Sequence, residues 1–470
     1  MPQSPTALPK VPAPIDADEA QRAGDRHAAK LERVVRQLRD RSRVRPVSLK
    51  KRAVSHLVPK PRDKRHTDDK IDIGDLDEIL GIDPVGMTCT AEPGVTFTDL
   101  VDATLRHGLV PIIVPELRTI TIGGAVAGCS IESMSFKYGG FHDTCLEYEL
   151  ITATGEVLRC TPDNEHRLIF QMVHGSFGTL GILSRLWFRL IAARPYVHIT
   201  YEHHPTLAAF QAAIWRHFID GDTDFMDGII HSPTEYALSL GRFVEEAPYT
   251  NRYDWTKVYY RTTAWRREDY LETPHYFFRY DNGVTNVHPR TALGRLLFGK
   301  FLHSAQILRL AEKLHRFLPS ERPDVTVDVF IPMSRFDVFM DWYREEIGFF
   351  PVWCVPYRRV RDYEWISPEF LAGVNDPLFV DLAIYGMKQR SDRNVYKALE
   401  DELLEVKGLK TLISYNYYDE EVFWRIWNKA NYLAVKKVTD PHNIFRDLYS
   451  KTCRAARGLD DGATSVAGPR

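Results

Sequence analysis

The period of apolar positions changes repeatedly along the chain, and each change predicts an element. Over residues 17–41 charges are dense and apolar positions sparse, with Leu31, Val34, Val35 and Leu38 on one narrow face, which predicts an exposed basic helix. Short β-leaning runs follow at 44–58, 71–80 and 87–91, split by Gly, Pro and Asp. A helical period over 98–107, closed by Gly108, leads into a buried strand at 110–114 before Pro115. Strands at 147–152 and 157–160 flank the turn Ala153-Thr154-Gly155-Glu156 and predict a hairpin, and 181–191 alternates as another strand. Beyond Arg194 the chain turns aromatic and irregular. Within it 325–331 and 378–384 predict strands, 335–346 and 394–406 helices, and 420–437 a helix stopped at Asp440-Pro441.

Composition narrows the class. A 470-residue chain with 44% hydrophobic and 26% charged residues is globular and too long for one ordinary core. The net charge of −2 gives no case for a nucleic-acid partner, which needs a strong basic excess. Locally, residues 31–70 hold 14 Lys/Arg against 5 Asp/Glu, so this stretch is read either as a solvated face or as a surface meeting phosphates or an anionic membrane. Six scattered cysteines without a Cys/His cluster predict no metal site and a reducing, cytoplasmic setting. Residues 1–16, rich in proline, and 458–470 read as a disordered leader and tail, and no stretch of about 18 apolar residues predicts a membrane span.

The densest chemical signal is a glycine-rich loop, Thr121-Ile122-Gly123-Gly124-Ala125-Val126-Ala127-Gly128-Cys129-Ser130, followed by Lys137-Tyr138-Gly139-Gly140. Glycines let backbone amides approach a pyrophosphate, and Thr/Ser hydroxyls donate to its oxygens, so a diphosphate cofactor is implied beside the alternative of a glycine-rich bend packing two sheets. The spacing fails G-x-G-x-x-G. A second cluster, Gly175-Ser176-Phe177-Gly178-Thr179-Leu180-Gly181-Ile182, suggests that the two loops serve the two ends of one long cofactor. Gly294 to Lys300 resembles a nucleotide loop, but Phe301 stands where a magnesium-binding hydroxyl belongs. His142, His166, His174, His275 and His288 stand singly.

The order of Glu92-Pro93-Gly94-Val95, Thr121-Ile122-Gly123-Gly124, Tyr138-Gly139, Glu149-Leu150, Gly155-Glu156 and Gly175 to Ile182 resembles the FAD-binding domain of vanillyl-alcohol-oxidase (PCMH-type) flavoproteins. Within that superfamily, Pro115-Glu116-Leu117, Ile131-Glu132-Ser133, Lys137-Tyr138-Gly139 and Arg159-Cys160-Thr161-Pro162 look most like the Δ24-sterol reductases. The likeness continues at Pro332-Met333, Pro351 to Pro356, Asp381, Tyr385-Gly386, Phe423-Trp424, Lys451 and Cys453.

The resemblance implies an α+β fold with a two-subdomain FAD-binding domain over 42–194, an α+β substrate cap over 195–410, and a segment over 411–457 returning to the flavin domain. It implies non-covalent FAD, since 47–56 lacks the glycine-histidine segment of many relatives, and NADPH as reductant. Pro115, Thr119, Thr121, Ile122, Gly123, Gly124, Gly128, Ser130, Gly139, Gly175, Gly178, Thr179 and Ile182 become the flavin contacts. The absence of the relatives' hydrophobic anchor leads us to expect a cytoplasmic enzyme, peripheral at the membrane.

The reaction so implied is reduction of an unactivated C=C bond in a lipid, which needs a general acid because an isolated alkene is a poor hydride acceptor. Glu132, Lys137, Tyr138, His142 and Tyr415 are the candidates, with Tyr385 and Tyr417 beside them. The aromatic residues Trp215, Trp255, Tyr259, Tyr260, Trp265, Tyr276, Phe277, Phe278 and Tyr280 are expected to wall the lipid cavity. The alternatives are a methylene-fatty-acyl phospholipid reductase, a flavin-dependent alcohol or sugar oxidase, and a flavin-fold lipid binder without turnover.

Overall fold

Two antiparallel sheets, one in each half of the chain, carry the architecture of a mixed α+β protein. The computed structural model describes residues 17–41, 45–53, 62–253, 257–281, 283, 325–389 and 392–459. The leader 1–16, Trp255, His288, the segment 294–300 and nearly all of 458–470 lie outside the described residues.

In the first half, helix α1 (Ala17–Asp40) precedes β1 (Val47–Lys50), which pairs in parallel with β2 (Asp69–Asp72). The strands β3 (Ile79–Asp83), β4 (Thr88–Ala91), β5 (Leu109–Pro111), β6 (Cys145–Ile151), β7 (Val157–Cys160) and β8 (Ile182–Ala192) form a sheet in the order β3-β4-β8-β6-β7, with β5 also on β8. Helix α2 (Phe97–Leu105) starts where Thr96 accepts from the Asp99 amide, and it buries Phe97, Leu100, Val101 and Thr104. The long β8 alternates buried and exposed positions along most of its length, the mark of a strand with one face in the core.

The second half corrects the sequence reading of an irregular stretch. Strands β9 (Tyr196–His204), β10 (Phe225–Ser232), β11 (Glu235–Val244), β12 (Glu268–Glu272), β13 (Val325–Pro332), β14 (Val352–Arg358), β15 (Leu378–Met387) and β16 (Leu409–Lys410) form an eight-stranded sheet ordered β12-β9-β11-β10-β14-β15-β13-β16. Phe225 through Ile230 are all buried, so β10 is covered on both faces and loses the alternation that would have revealed it. One face of this sheet, with Val327, Val329, Ile331, Val380, Leu382 and Ile384, packs under the helices Leu207–Asp220, Phe336–Glu346 and Val395–Glu405. The opposite face joins a core shared with the first half through Trp353, Val355, Tyr357 and Ala383.

Helix α1 keeps most of its described residues exposed and docks through a narrow face. Val34 and Leu38 are buried against β1 and β2, and His27 is 4% exposed. Its Nδ1 lies 2.8 Å from Glu92 and its Nε2 2.8 Å from Glu149. Both acceptors are carboxylates, so both ring nitrogens donate and the ring is an imidazolium. Against the cost of burial, these two carboxylates raise its pKa to about 8, and the stabilisation they give is complete below the ordinary histidine value and lost as pH rises through about 8. Part of the basic excess of residues 31–70 is paired: Lys50 reaches Asp72 at 2.7 Å, Arg52 reaches Asp77 at 3.0 Å, and Arg33 and Arg65 meet Asp75 and Asp63. Among the described residues no helix is long and apolar enough to cross a membrane.

The C-terminal segment closes onto the first half. Val47 N donates to Ile444 O at 2.8 Å and Ala153 N to Thr439 O at 2.8 Å. The helix predicted over 420–437 is two, Glu420–Ile426 and Lys429–Thr439. Trp427 is extended between them, and the Asn428 side chain accepts from Asn431 N to start the second, a local bond that competes with continuing the first. Buried Lys436 in that helix donates to Asp440, Phe445 O and Thr179 O, tying the segment to the second glycine cluster.

Candidate active site

The first glycine-rich stretch, expected as a loop, is largely a short helix, α3 (Ile122–Gly128). Thr121 Oγ1 accepts from Gly124 N at 3.3 Å to start it, and Cys129 in the left-handed region (φ 55°) ends it. Glycine is a poor helix former, so packing makes this helix: Ile122, Ala125 and Val126 are buried in the shared core. The second cluster lies against the first, where Gly175 N donates to Val126 O at 3.3 Å and Phe177 N to Ala127 O at 3.1 Å. The two clusters therefore build one wall side by side and are not two separated ends, as the sequence suggested.

Residues 117–120, 123–124, 127–131, 175 and 177–178 of and beside that wall are partly exposed amid buried neighbours, as are Phe330, Tyr385, Gly386, Leu409 and Thr411 on the large sheet. The charge of Glu116, just ahead of the wall, reaches Asp381 and Tyr385 on that sheet. Against the wall lies Lys451, whose Nζ donates to Phe177 O at 2.6 Å and stands 4.0 Å from where a Gly178 Cβ would sit. Burial first, then the like charges of Arg65 and Lys51, push the Lys451 pKa down to about 7. Cations gathered in this way are arranged for a polyanion.

Residues 28–161 match the FAD binding domain family. Delta(24)-sterol reductase of Homo sapiens is 27% identical over 405 residues, covering 81% of this chain and 77% of that protein. The chain thus carries an FAD-binding domain and is similar to these reductases. Delta(24)-sterol reductase of Arabidopsis thaliana is 26% identical over 441 residues, 83% of this chain and 77% of the relative. Cytokinin dehydrogenase 7 of Oryza sativa subsp. japonica is 27% identical over only 156 residues, 32% of this chain and 28% of its own length. The likeness to the sterol reductases thus runs through both halves, whereas that to the dehydrogenase covers a third of the chain.

The residues of the flavoprotein fit a dinucleotide pyrophosphate. A Cβ built on Gly128 meets nothing within 4 Å, so its backbone faces open space, and Gly178 adopts φ +68° beside the Lys451 ammonium. Other members of the expected contact set serve the fold. Ile122 and Ile182 are fully buried, and the Thr179 hydroxyl donates to Ser176 O at 2.7 Å. A Gly123 Cβ would lie 2.5 Å from Pro93 Cβ, and a Gly139 Cβ 2.4 Å from Asp143 Oδ2. Pro115 is buried, Thr119 and Ser130 are partly exposed, and Ser130 O accepts from Phe141 N at 3.0 Å. This separation is testable. Gly123→Ala forces α3 off Pro93 and lowers stability by about 1–3 kcal/mol in urea unfolding. Gly128→Ala should unfold at the parent's urea midpoint while its FAD dissociation constant rises, and equal flavin binding by Gly128→Ala and the parent would refute the placement.

The proposed acids scatter. Glu132 lies 3.3 Å from the Arg279 guanidinium and accepts from Ser133 N, inside a buried network with Asp227 and Tyr276. Lys137 donates to Gly221 O at 3.2 Å, on the outer side near Asp222 and Asp224. Tyr138 is partly buried beside the shared core. His142 is buried between His174 and Tyr363, and burial lowers its pKa and keeps it neutral. Tyr415 stacks with Tyr396 and Tyr417 in the core under the helices. Tyr385 is partly exposed on the large sheet, where its hydroxyl donates to Asp328.

The aromatic wall expected for a lipid is also corrected. Tyr259, Tyr260, Tyr276, Phe277, Phe278 and Tyr280 are buried core residues, clustered where Arg279 lies 4.0 Å above the Tyr276 ring and 4.8 Å above that of Tyr280. Trp265 is exposed and Trp215 packs in the other core. Sequence reasoning gave no role to Asp328, Asp381 and Glu116, which are buried within electrostatic reach of one another. The available signal was an aspartate inside each of two otherwise apolar strands, Val325–Pro332 and Leu378–Met387.

Proposed function

We propose that this flavoprotein reduces an unactivated carbon–carbon double bond of a lipid, with NADPH as reductant and FAD held non-covalently, as a relative of the Δ24-sterol reductases. The observation that carries the reading is Lys451 set against the glycine wall at Phe177 and Gly178, with Glu116 ahead of that wall within electrostatic reach of Asp328 and Asp381 on the large sheet. Likeness to named reductases through both halves adds to it.

In this reading the first half is a two-subdomain flavin domain and the eight-stranded half its cap. Bound FAD supplies transfer of hydride from the nicotinamide to a substrate carbon. Lys451, with Arg65 and Lys51 adding positive field, binds the pyrophosphate together with the backbone of Gly128 and Gly178. Phe330 and Leu409 give the alkene an apolar wall and exclude water, while carboxyl groups on the same face hold a proton where the carbon must be protonated.

Under anaerobic conditions NADPH should bleach the flavin absorbance of the purified protein. A sterol with a Δ24 bond, or a methylene-branched phospholipid, should then restore it. Bleaching by an alcohol or sugar, with no response to NADPH, would reverse the direction of hydride transfer and overturn the proposal. Acid precipitation should release the flavin into the supernatant.

A further inference from the structure

Asp328, Phe330, Asp381, Ala383 and Tyr385 share one face of the large sheet, because β13 and β15 are antiparallel neighbours with Phe330 opposite Asp381 and Asp328 opposite Ala383. The other face is the wholly apolar core beneath the helices. Two buried aspartates on the face of these strands away from the helices are costly unless something uses them. Asp328 is engaged, accepting from the Tyr385 hydroxyl and lying 3.4 Å from Thr411 Oγ1. Asp381 is not: it is 4% exposed, and its Oδ1 has no hydrogen-bond partner among the described residues.

Among the described residues no cation compensates it. The groups whose charge reaches Asp381 are Asp328 on β13 and Glu116 from the loop before α3, and Asp381 in turn acts on Cys354 of β14 and Tyr385 of its own strand. Glu116 itself feels Glu132, Asp328 and Asp281. Burial raises Asp381 well above the usual carboxylate range, and burial likewise raises Glu116 to about 8 and Asp328 to about 6. A carboxyl so placed stays protonated near neutral pH and can donate.

Building on the reductase reading, we propose that Asp381 is the proton donor to the alkene. Its O–H bond breaks as a C–H bond forms at one alkene carbon, and hydride from a two-electron-reduced flavin closes the second C–H bond at the other. The π pair is consumed, the reductant loses two electrons, and Asp381 is left as a carboxylate. Reprotonation comes from solvent, which reaches this face at the partly exposed Tyr385.

The test uses the FAD-loaded full chain and Asp381→Asn, with flavin content and bleaching by NADPH followed in parallel. Reoxidation of the reduced flavin by the lipid alkene should slow on the order of 10²-fold or more in the variant. The parent rate should fall as pH rises and the variant's residual rate should not. Infrared spectra of the oxidised holoprotein at neutral pH should show a deuterium-sensitive protonated-carboxyl stretch, one component of which D381N removes. Equal reoxidation rates and pH profiles in parent and variant would overturn the assignment alone. A parent flavin that no lipid alkene reoxidises would overturn the reductase reading and the assignment with it. Should D381N fail to accumulate, the parent decides: reoxidation must fall in step with the carboxyl band, and a rate unmoved while that band titrates away refutes the role of Asp381.

Discussion

Lys451→Met purifies largely free of flavin and binds added FAD on the order of 10–100-fold more weakly than the parent, the loss of one charge-assisted contact to phosphate. The substitution keeps most of the apolar stem, so urea unfolding of the flavin-free protein should change little or improve, because the ammonium it removes is desolvated and crowded by Arg65 and Lys51. The pH dependence gives a sharper readout. Without ligand the Lys451 pKa sits at about 7, and a pyrophosphate favours the ammonium and raises it. Between those two values FAD binding takes up a proton, so the parent's affinity weakens as pH climbs above about 7, and the variant's affinity should lack this slope. Titration calorimetry in buffers of different ionisation enthalpy measures the proton directly. A parent that binds FAD with no proton uptake at pH 8, or a variant that retains FAD at parent strength, would move the pyrophosphate away from Lys451.

Arg279→Leu should be the most damaging single change to the fold, lowering unfolding free energy by about 3–5 kcal/mol, the range for removing one partner of a buried ion pair. Arg279 is 1% exposed, with Asp227 at 2.9 Å and Glu132 at 3.3 Å. Asp227 also accepts from Tyr280 at 2.6 Å and from Trp353 Nε1 at 2.9 Å, so the network joins the flavin half to the large sheet. Without the guanidinium two buried carboxyls face one another. Burial raises Glu132 and Arg279 is the cation that lowers it, so in the variant Glu132 binds more protons folded than unfolded and stability falls as pH rises. Its deficit should be smaller at pH 6 than at pH 8, and a deficit independent of pH would mean that packing, not charge, dominates the site.

The same network shows where sequence reading stops. Tyr259, Tyr276 and Tyr280 look alike as a cavity wall or as a core, since composition is the same in both. What decides is that strands more than 50 residues away bring Asp227 and Trp353 against Arg279. Glu132 stood next to a glycine-rich stretch and so read as an acid near the cofactor, yet its partner Arg279 is 147 positions along the chain.

Local signals survived folding. The helical period over 98–107, the hairpin around Gly155 and the strands within 325–331 and 378–384 depend on neighbours a few residues apart, and each appears in the structure. The glycines could be found, but whether each meets Pro93, Asp143 or open space could not, because those neighbours come from other segments.

The sequence by itself determined most of the elements of the first half, because backbone conformation and alternation are written over short spans of chain, and the order of its motifs carried the resemblance to an FAD-binding domain. The tertiary structure alone decided which charges are paired and which are stranded. Lys451 beside Phe177, and Asp381 with Glu116, are far apart in sequence, and their chemistry exists only because folding removes them from water and from compensating charge.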